Sequence, residues 1–210
     1  HGVEVVGTDY DSELVATLNE GRTTFKEEGL DELFAEAIKA GITFTTEYQV
    51  CDTYIVSVPT PYDKQTKKID SAYVVAAMKS VLEVAPDGAI VVIESTVSPN
   101  TIDRFVRPVI SDAGRSDVNL VHAPERIIPG NMVYELLHNN RTIGADDPSV
   151  GEMVKEIYAS FCQAEITVTD IRTAEMTKVV ENTYRDINIA FANELAKICH
   201  VGGMDVYEVI

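Results

Sequence analysis

Short apolar segments alternate with stretches of helical periodicity along most of this chain. Four apolar runs have the length and the β-branched content of buried parallel strands: residues 3–8, 53–58, 89–94 and 118–122. Between them, segments such as 30–40 and 70–84 repeat apolar residues at the three- and four-residue spacing of a helix that packs on one side. This order of elements predicts an α/β fold with a doubly wound parallel sheet.

Helix-capping residues mark where the predicted helices begin and end. Asp11 precedes a helix that reaches about Asn19, and Gly21 ends it, as N-cap and C-terminal preferences favour. Asp70 is the predicted cap of the helix that reaches Val84. The weaker predicted strands are residues 42–46, 141–144 and 165–169. The remaining predictions are a helix opening at Asn100 or Thr101, an irregular segment after His122, a helix over residues 148–161 and the start of another after residue 204.

The longest predicted element is a helix that begins near Arg172 and ends at Gly202 and Gly203. At 100° per residue, its mostly apolar side carries Met176, Val180, Thr183, Ile187, Phe191, Glu194 and Ile198. The side roughly opposite has four neighbours at steps of three or four: Glu175, Lys178, Asn182 and Arg185. A cation, an amide and a guanidinium in one row can bind a polyanion or stabilise an oxyanion. A solvated face with a Glu–Lys pair is the alternative interpretation.

Composition narrows the class of protein. The chain has 210 residues, 45% of them hydrophobic, which suffices for one substantial core, or one domain and the start of another. Its formal net charge of -17 argues against partners such as nucleic acid or an anionic membrane surface. Because no apolar run approaches the ~20 residues of a membrane span and no signal peptide precedes the first strand, we expect a cytoplasmic protein. The three cysteines lack metal-binding spacing, so we expect reduced thiols and no metal site.

Three further segments accompany the long helix: VSVPTPYD at residues 56–63, IESTVSPNT at 93–101 and HAPERIIPGN at 122–131. In this order and spacing they closely resemble the nucleotide-sugar 6-dehydrogenases, which act on UDP-glucose, GDP-mannose or UDP-N-acetylmannosamine. The resemblance runs from about the first residue to the last. It implies a Rossmann-type NAD-binding domain over residues 1–170. Residues 171–210 would then be the connecting helix and the start of a central dimerisation domain, and the nucleotide-sugar domain would be absent.

Two motifs of such a protein are missing. The chain has no GxGxxG turn, with which a dinucleotide-binding sheet opens, and no GGxCxPxD segment, which carries the family's nucleophilic cysteine. Its first predicted strand ends in Asp9, as the second strand of such a sheet does. We therefore expect part of a protein roughly twice as long, starting after the first strand and its phosphate-binding turn. Cys199, at the end of the long helix, is not assigned as the nucleophile, and these residues alone are expected to be inactive.

The resemblance implies a set of cofactor contacts. Asp9 would accept hydrogen bonds from the adenosine ribose, and a carboxylate there favours NAD over NADP. The other expected contacts follow two strands at the edge where ligands of open α/β sheets bind: Val58, Pro59, Thr60, Ser95 and Thr96. The alternative for Asp9, Ser95 and Thr96 is ordinary capping of the helices that follow them.

The resemblance also implies roles in catalysis and substrate binding. Glu125, near the nicotinamide, would be a general base or position a water, and Thr96 would help to place the water or the reacting hydroxyl. Lys178 and its amide partner Asn182 would stabilise the developing oxyanion and contact the substrate. Arg126 and Arg185 are candidates for further substrate contacts, with a structural ion pair as the alternative for each.

The implied reaction is a double oxidation of a UDP-sugar. The C6 alcohol gives one hydride to NAD, a cysteine captures the aldehyde as a thiohemiacetal, and a second hydride leaves a thioester that water releases as the uronic acid. The PERIIPGN segment looks most like the branch acting on UDP-N-acetylmannosamine, which supplies polysaccharide biosynthesis. The family also forms homodimers through the connecting helix, and the apolar stripe is compatible with that, although a core-facing stripe looks the same from sequence.

Two other classes remain open from the residues alone. A 3-hydroxyacid or 6-phosphogluconate type of dehydrogenase shares the long helix with a Lys and an Asn one turn apart, but it transfers a single hydride and needs no cysteine. A non-catalytic, truncated binding module is the second, favoured by the missing glycine turn. The number of hydrides transferred, which is two, one or none, distinguishes the three hypotheses.

Overall fold

Strands and helices alternate along the chain in the computed structural model, which describes residues 3–210. The first elements are β1 (Val6–Thr8), α1 (Ser12–Asn19), α2 (Leu30–Lys39), β2 (Thr43–Thr45), β3 (Thr53–Val56), β4 (Tyr62–Asp63), β5 (Lys68–Ile69) and α3 (Ala72–Val84). The next are β6 (Ile90–Ile93), a π-helical turn (Ile102–Val106), α4 (Arg107–Asp112), β7 (Asn119–His122) and α5 (Met132–His138). The last are β8 (Arg141–Ala145), α6 (Pro148–Ala159), β9 (Ile166–Thr169), α7 (Ile171–Gly202) and α8 (Val206–Val209).

The main sheet has five strands in the order β3-β6-β7-β8-β9. Strands β3, β6 and β7 are parallel to one another, as predicted, but β8 pairs antiparallel to β7 with Val121 opposite Ala145, and β9 is parallel to β8. The connection from β7 to β8 returns at the same edge of the sheet instead of crossing a face. As a consequence, the first residue of β8, Arg141, lies beside the carboxyl ends of β6 and β7.

The strands separate two apolar cores, which confirms the doubly wound α/β architecture. Along β6, Val91 and Ile93 pack with Met78 of α3 on one face. Val92, between them, packs on the other face with Val154 of α6. This alternation is the two-residue period of a strand that is buried on both sides.

Strands β1 and β2 form a separate parallel pair, with Val6 opposite Thr43. A cleft of about 250 Å³ lies between this pair and β3, and its lining includes Thr8, Tyr48 and Val56. The lining runs from Cys51, before β3, to Val58, after it, so the cleft reaches the carboxyl end of the strand, where ligands of such folds bind.

Local predictions hold with several corrections. Asp11 is the N-cap of α1, and Gly21 follows that helix with a positive φ. The N-cap of α3 is Ser71 rather than Asp70, although the Asp70 carboxylate accepts a hydrogen bond from the N–H of Ala72 at 2.9 Å. The helix after β6 starts as a π-helical turn, and the small hairpin of β4 and β5 was not predicted.

Helix α5 lies in the segment predicted to be irregular. Its N-terminus is capped from far away in sequence, because the Glu27 carboxylate accepts hydrogen bonds from the N–H groups of Gly130 and Met132, both at 3.0 Å. Sequence windows around residue 132 contain no sign of such a distant cap, which is why the helix was missed.

The first turn of α7 lies directly against the backbone of β8. A Cβ atom on Gly144 would stand 2.6 Å from the Ile171 Cα and 2.7 Å from the Ala174 Cβ, so only glycine permits this approach. Asp170 caps the helix by accepting from the N–H of Thr173 at 2.9 Å. These contacts fix where α7 starts and therefore which side chains it carries to the carboxyl ends of β6 and β7.

No helix within residues 3–210 combines the length and the apolarity that crossing a membrane requires. All three cysteines are free thiols, with Cys162 and Cys199 buried and Cys51 half-buried.

Candidate active site

The loops that follow β3 and β6 are joined by side-chain hydrogen bonds. The Ser95 Oγ accepts from the N–H of Val58 at 2.8 Å and donates to the Val58 carbonyl at 2.8 Å. The Thr60 Oγ1 donates to the Thr96 carbonyl at 2.8 Å. The structure therefore brings Val58, Pro59, Thr60, Ser95 and Thr96 together at one edge of the sheet. Within residues 3–210, neither Ser95 nor Thr96 caps the following helix, so the capping alternative is wrong for both.

Asp9 stands at the carboxyl end of β1, across the cleft from these loops. Its N–H donates to the Thr45 carbonyl at 3.2 Å, and its Oδ1 accepts from the N–H of Asp11 at 2.9 Å. The cap of α1 is Asp11, so Asp9 is not a capping residue. Burial, and secondarily the charge of Asp9, raises the pKa of Tyr48 at the wall of the cleft.

Glu125 follows β7 and accepts three hydrogen bonds. Its Oε1 accepts from the N–H of Arg126 at 2.5 Å and from that of Ile127 at 3.1 Å, and its Oε2 accepts from Arg141 Nη2 at 2.5 Å. A carboxylate held on three sides keeps a fixed orientation. The preceding His122 is buried and donates from Nδ1 to the Ile93 carbonyl at 2.8 Å, and burial lowers its pKa to about 4.

A buried cluster behind Glu125 was missed by sequence reasoning. The guanidinium of Arg141 lies between Glu125 and Glu94, 3.9 Å from the Glu94 Oε1, and 4.6 Å from the centre of the Tyr158 ring. The Tyr158 hydroxyl donates to the Glu94 Oε1 at 3.0 Å. Burial raises the pKa of Glu94, and it raises that of Tyr158 together with the Glu94 charge. The sequence did offer one signal for this cluster. Glu94 directly follows the apolar strand β6, and Arg141 is the first residue of β8.

Lys178 lies within reach of the charge of Glu125, and Asn182 follows it by one turn on the same face of α7. Lys178 is 8% exposed, and burial lowers its pKa while the nearby charge of Glu181 opposes that shift. Its ammonium has no hydrogen bond or ion pair among the described residues. Asn182, one turn on, is half-buried, and its side-chain amide is likewise without a partner in residues 3–210. Donors held in this way are suited to an incoming oxyanion.

Glu181 joins the two arginines proposed to contact substrate. Arg126 Nε lies 2.7 Å from the Glu181 Oε2, and Arg185 Nη2 lies 3.3 Å from the Glu181 Oε1. Arg126 also donates from Nη1 to the Asn140 carbonyl at 3.0 Å. Both arginines thus form the ion pairs of the alternative interpretation, and both also line a polar cleft of about 360 Å³ beside Lys178's helix.

The interpretation of the polar face of α7 as solvated is wrong at its start. Glu175 is 1% exposed and Lys178 is nearly as buried, whereas the apolar stripe lies outside. The exposed members of that stripe include Met176, Val180, Ile187, Phe191 and Ile198.

The fold and the loops at its carboxyl edge define a Rossmann-type dinucleotide-binding domain followed by a long helix. Residues 1–162 match the NAD-binding domain of the UDP-glucose/GDP-mannose dehydrogenase family, and residues 172–210 match the central domain of the same family. The chain therefore belongs to the UDP-glucose/GDP-mannose dehydrogenase family, whose first domain binds NAD.

Named relatives support the same assignment. The UDP-N-acetyl-D-mannosamine dehydrogenase of Methanococcus aeolicus is 39% identical over all of this chain and 48% of its own length, and that of Methanococcus vannielii is 42% identical over all of this chain and 49% of its own. The structure of the UDP-D-ManNAc dehydrogenase from Pyrococcus horikoshii matches with a TM-score of 0.92 and 36% identity, covering 100% of this chain and 51% of that one. The chain spans about half the length of these relatives.

The residues present fit the adenosine side of NAD. Asp9 places a carboxylate at the end of β1 beside the cleft, and its Oδ2 receives no hydrogen bond from the part of the chain that the structure describes. An acceptor at that position suits a ribose diol and disfavours the 2′-phosphate of NADP.

Proposed function

We propose that this chain belongs to an NAD-dependent UDP-sugar 6-dehydrogenase and contributes most of its cofactor domain and its connecting helix. UDP-N-acetylmannosamine is the proposed substrate, because relatives at about 40% identity over the whole chain carry that name. The observation that supports the chemistry best is the buried Lys178 ammonium, without an ion pair among the described residues and within reach of the charge of Glu125.

Each site residue has a proposed role in this reaction. Lys178 and Asn182 donate to the oxygen that becomes negative as the C6 carbon reacts, because fixed donors stabilise such a charge without reorganisation. Glu125, oriented by Arg141, accepts a proton or positions a water, and Thr96 helps to place the reacting oxygen. When bound at the carboxyl edge of the sheet, NAD would supply the acceptor for the hydride.

The remaining proposed roles concern binding. Asp9 holds the adenosine ribose, and the turn formed by Val58, Pro59 and Thr60 with Ser95 forms the wall beside the cofactor. Arg126 and Arg185 contact the substrate, with Glu181 setting their orientation in its absence. The nucleophilic cysteine is not among these residues, so we assign it to a further segment of the protein.

The exposed apolar stripe of α7 supports a homodimer through the connecting helix. Phe191 is 66% exposed and Ile198 is 62% exposed, and large apolar side chains in one stripe usually mark an interface. The free thiols agree with a proposed cytoplasmic location, because reducing compartments keep cysteines in that state.

Hydride stoichiometry in the full-length protein tests the proposed function. Purified enzyme is incubated with NAD and UDP-N-acetylmannosamine, and NADH is measured against the sugar product. Two NADH per uronic acid is the expected result. One NADH per product, with an aldehyde or ketone as the product, indicates the single-hydride class. If no NADH forms with UDP-N-acetylmannosamine, UDP-glucose or GDP-mannose, the protein is a binding module.

A further inference from the structure

A carboxylate on α7 holds the loop that carries Thr96. Glu175 is 1% exposed, and its Oε2 accepts from the N–H of Asn100 at 2.6 Å while its Oε1 accepts from the N–H of Ile102 at 3.0 Å. Within residues 3–210, Glu175 has no cationic partner. Burying a carboxylate is costly unless its oxygens are satisfied, and here two backbone donors satisfy them.

The held segment has an unusual backbone. Asn100 has a φ of 71°, in the left-handed region that non-glycine residues rarely adopt, and a π-helical turn begins at Ile102. Both features are local distortions that persist only where neighbouring contacts maintain them. The two hydrogen bonds that Glu175 accepts are such contacts, since they hold the backbone on both sides of Thr101.

The loop from residue 95 to residue 101 is thus anchored at its two ends by different elements. At the near end, Ser95 bonds the Val58 backbone and Thr60 bonds the Thr96 carbonyl. At the far end, Glu175 ties the loop to α7. Lys178 lies three residues after Glu175, on the same face of the helix.

We propose that Glu175 is a positioning residue that sets Lys178 of α7 in register with the Thr96 loop, so that both groups meet the same reacting oxygen. Glu175 itself does not touch the substrate. The expected effect on kcat rests on the proposed dehydrogenase function. The expected effect on the backbone of the Thr96 loop does not depend on that function.

Glu175→Gln in the full-length enzyme tests this role, because glutamine has the same shape but replaces one accepting oxygen with an NH2 group that only donates. Hydrogen exchange at the N–H groups of Asn100 and Ile102 should accelerate about tenfold or more, as a lost buried hydrogen bond permits. The kcat for UDP-sugar oxidation should fall about 100-fold, since a misplacement near 1 Å has that cost. The KM for NAD should change less than kcat, because Asp9 and the hydrogen bonds between Ser95 and Val58 do not depend on Glu175.

A matched control and a rescue separate positioning from general stability. Glu194→Gln changes an exposed glutamate of the same helix that pairs with Lys197, so exchange and kcat should stay at wild-type values. Asn100→Gly in the Glu175→Gln background should restore kcat about fivefold, because glycine adopts a positive φ without the cost borne by other residues.

Several results would overturn the proposal. Unchanged exchange at Asn100 and Ile102 would show that Glu175 does not hold the loop. Faster exchange with an unchanged kcat would show that the anchor has no bearing on the reaction, and a lower kcat that Asn100→Gly cannot raise would point to general loss of structure. If the wild-type enzyme oxidises no UDP-sugar, the proposed function fails, and the exchange measurement alone decides whether Glu175 anchors the loop.

Discussion

The first turns of α7 and the rest of that helix differ in what they bury. Between residues 171 and 182 the charged face is inside, with Glu175 and Lys178 packed against the loops after β6 and β7. Beyond residue 183 the apolar residues Ile187, Phe191 and Ile198 are exposed. In this helix, burial follows the location of the sheet edge rather than hydrophobicity, because α7 packs on the domain at its start and extends past it.

The two regions also differ in what stabilises them. Buried charges persist where donors or opposite charges lie beside them, and Glu175 has two backbone N–H groups. Lys178 has the charge of Glu181, which is opposed by those of Arg126 and Arg185. Within residues 3–210, the side chains of Ile187, Phe191 and Ile198 in the apolar stripe are left exposed to solvent. The start of α7 is therefore held against the sheet edge, whereas the apolar stripe farther along is exposed and is the surface of the proposed homodimer.

Removing the charge from the buried region should have the largest effect. Lys178→Met in the full-length enzyme is expected to lower kcat about 100- to 1,000-fold, the cost of losing one oxyanion donor. Steady-state NADH formation measures this. Lys197→Met, on the exposed part of α7, is the control and should keep wild-type kcat. Equal losses in both variants would contradict the assignment of Lys178.

The next largest effect is expected on stability, in the buried cluster of Arg141, Glu94 and Glu125. Arg141→Met leaves Glu94 and Glu125 without the guanidinium between them, so the free energy of unfolding should fall by about 3 kcal/mol. Urea denaturation followed by circular dichroism measures it. Arg172→Met, whose side chain is 76% exposed, should cost under about 0.5 kcal/mol. If Arg141→Met also lowered the free energy of unfolding by so little, the guanidinium would not be needed to stabilise the Glu94 and Glu125 carboxylates.

Charging the exposed stripe tests the other half of the comparison. Phe191→Asp with Ile198→Asp should weaken the proposed homodimer by about 2 kcal/mol or more, since central apolar contacts dominate interfaces. Sedimentation velocity over a concentration series measures the dissociation. Asn193→Asp is the control, because this exposed residue lies on the same helix outside the stripe and the variant also gains a carboxylate. An unchanged dimer would place the interface elsewhere.

The smallest expected effect is a gain in stability with a defined pH dependence. Burial lowers the pKa of Lys178 from its ordinary 10.5, so the unfolded chain binds this proton more tightly than the folded one. The charged lysine therefore reduces stability at pH values below its folded pKa, and this cost fades as the pH rises toward 10.5. Lys178→Met should be more stable than wild type by about 1 kcal/mol at neutral pH.

The same Lys178→Met measurement near pH 10.5 should show a smaller difference from wild type. Lys197→Met, at an exposed position, should show no such trend. Urea denaturation at the two pH values provides the comparison. A gain that grows with pH would contradict the sign derived from the lowered pKa.

Local sequence signals predicted most elements of the fold. Strands β3 and β6 followed from apolar runs, α1 from the Asp11 cap, and α7 from its periodicity between Arg172 and the glycines at 202 and 203. The motifs also indicated which loops would meet, and Ser95 and Thr60 do join the loops after β3 and β6. These predictions succeeded because each depends on neighbours in sequence or on the general rule that parallel strands end at one edge.

Other features depended on contacts between distant residues. The reversed direction of β8, the cap of α5 by Glu27 and the cluster of Arg141 with Glu94 each join positions far apart in the chain. By itself, the sequence determined the fold class, the family motifs and the two faces of α7. Only the tertiary structure decided which face of α7 is buried. A helical wheel shows which residues are neighbours, but the location of the sheet edge decides which of them lose contact with water.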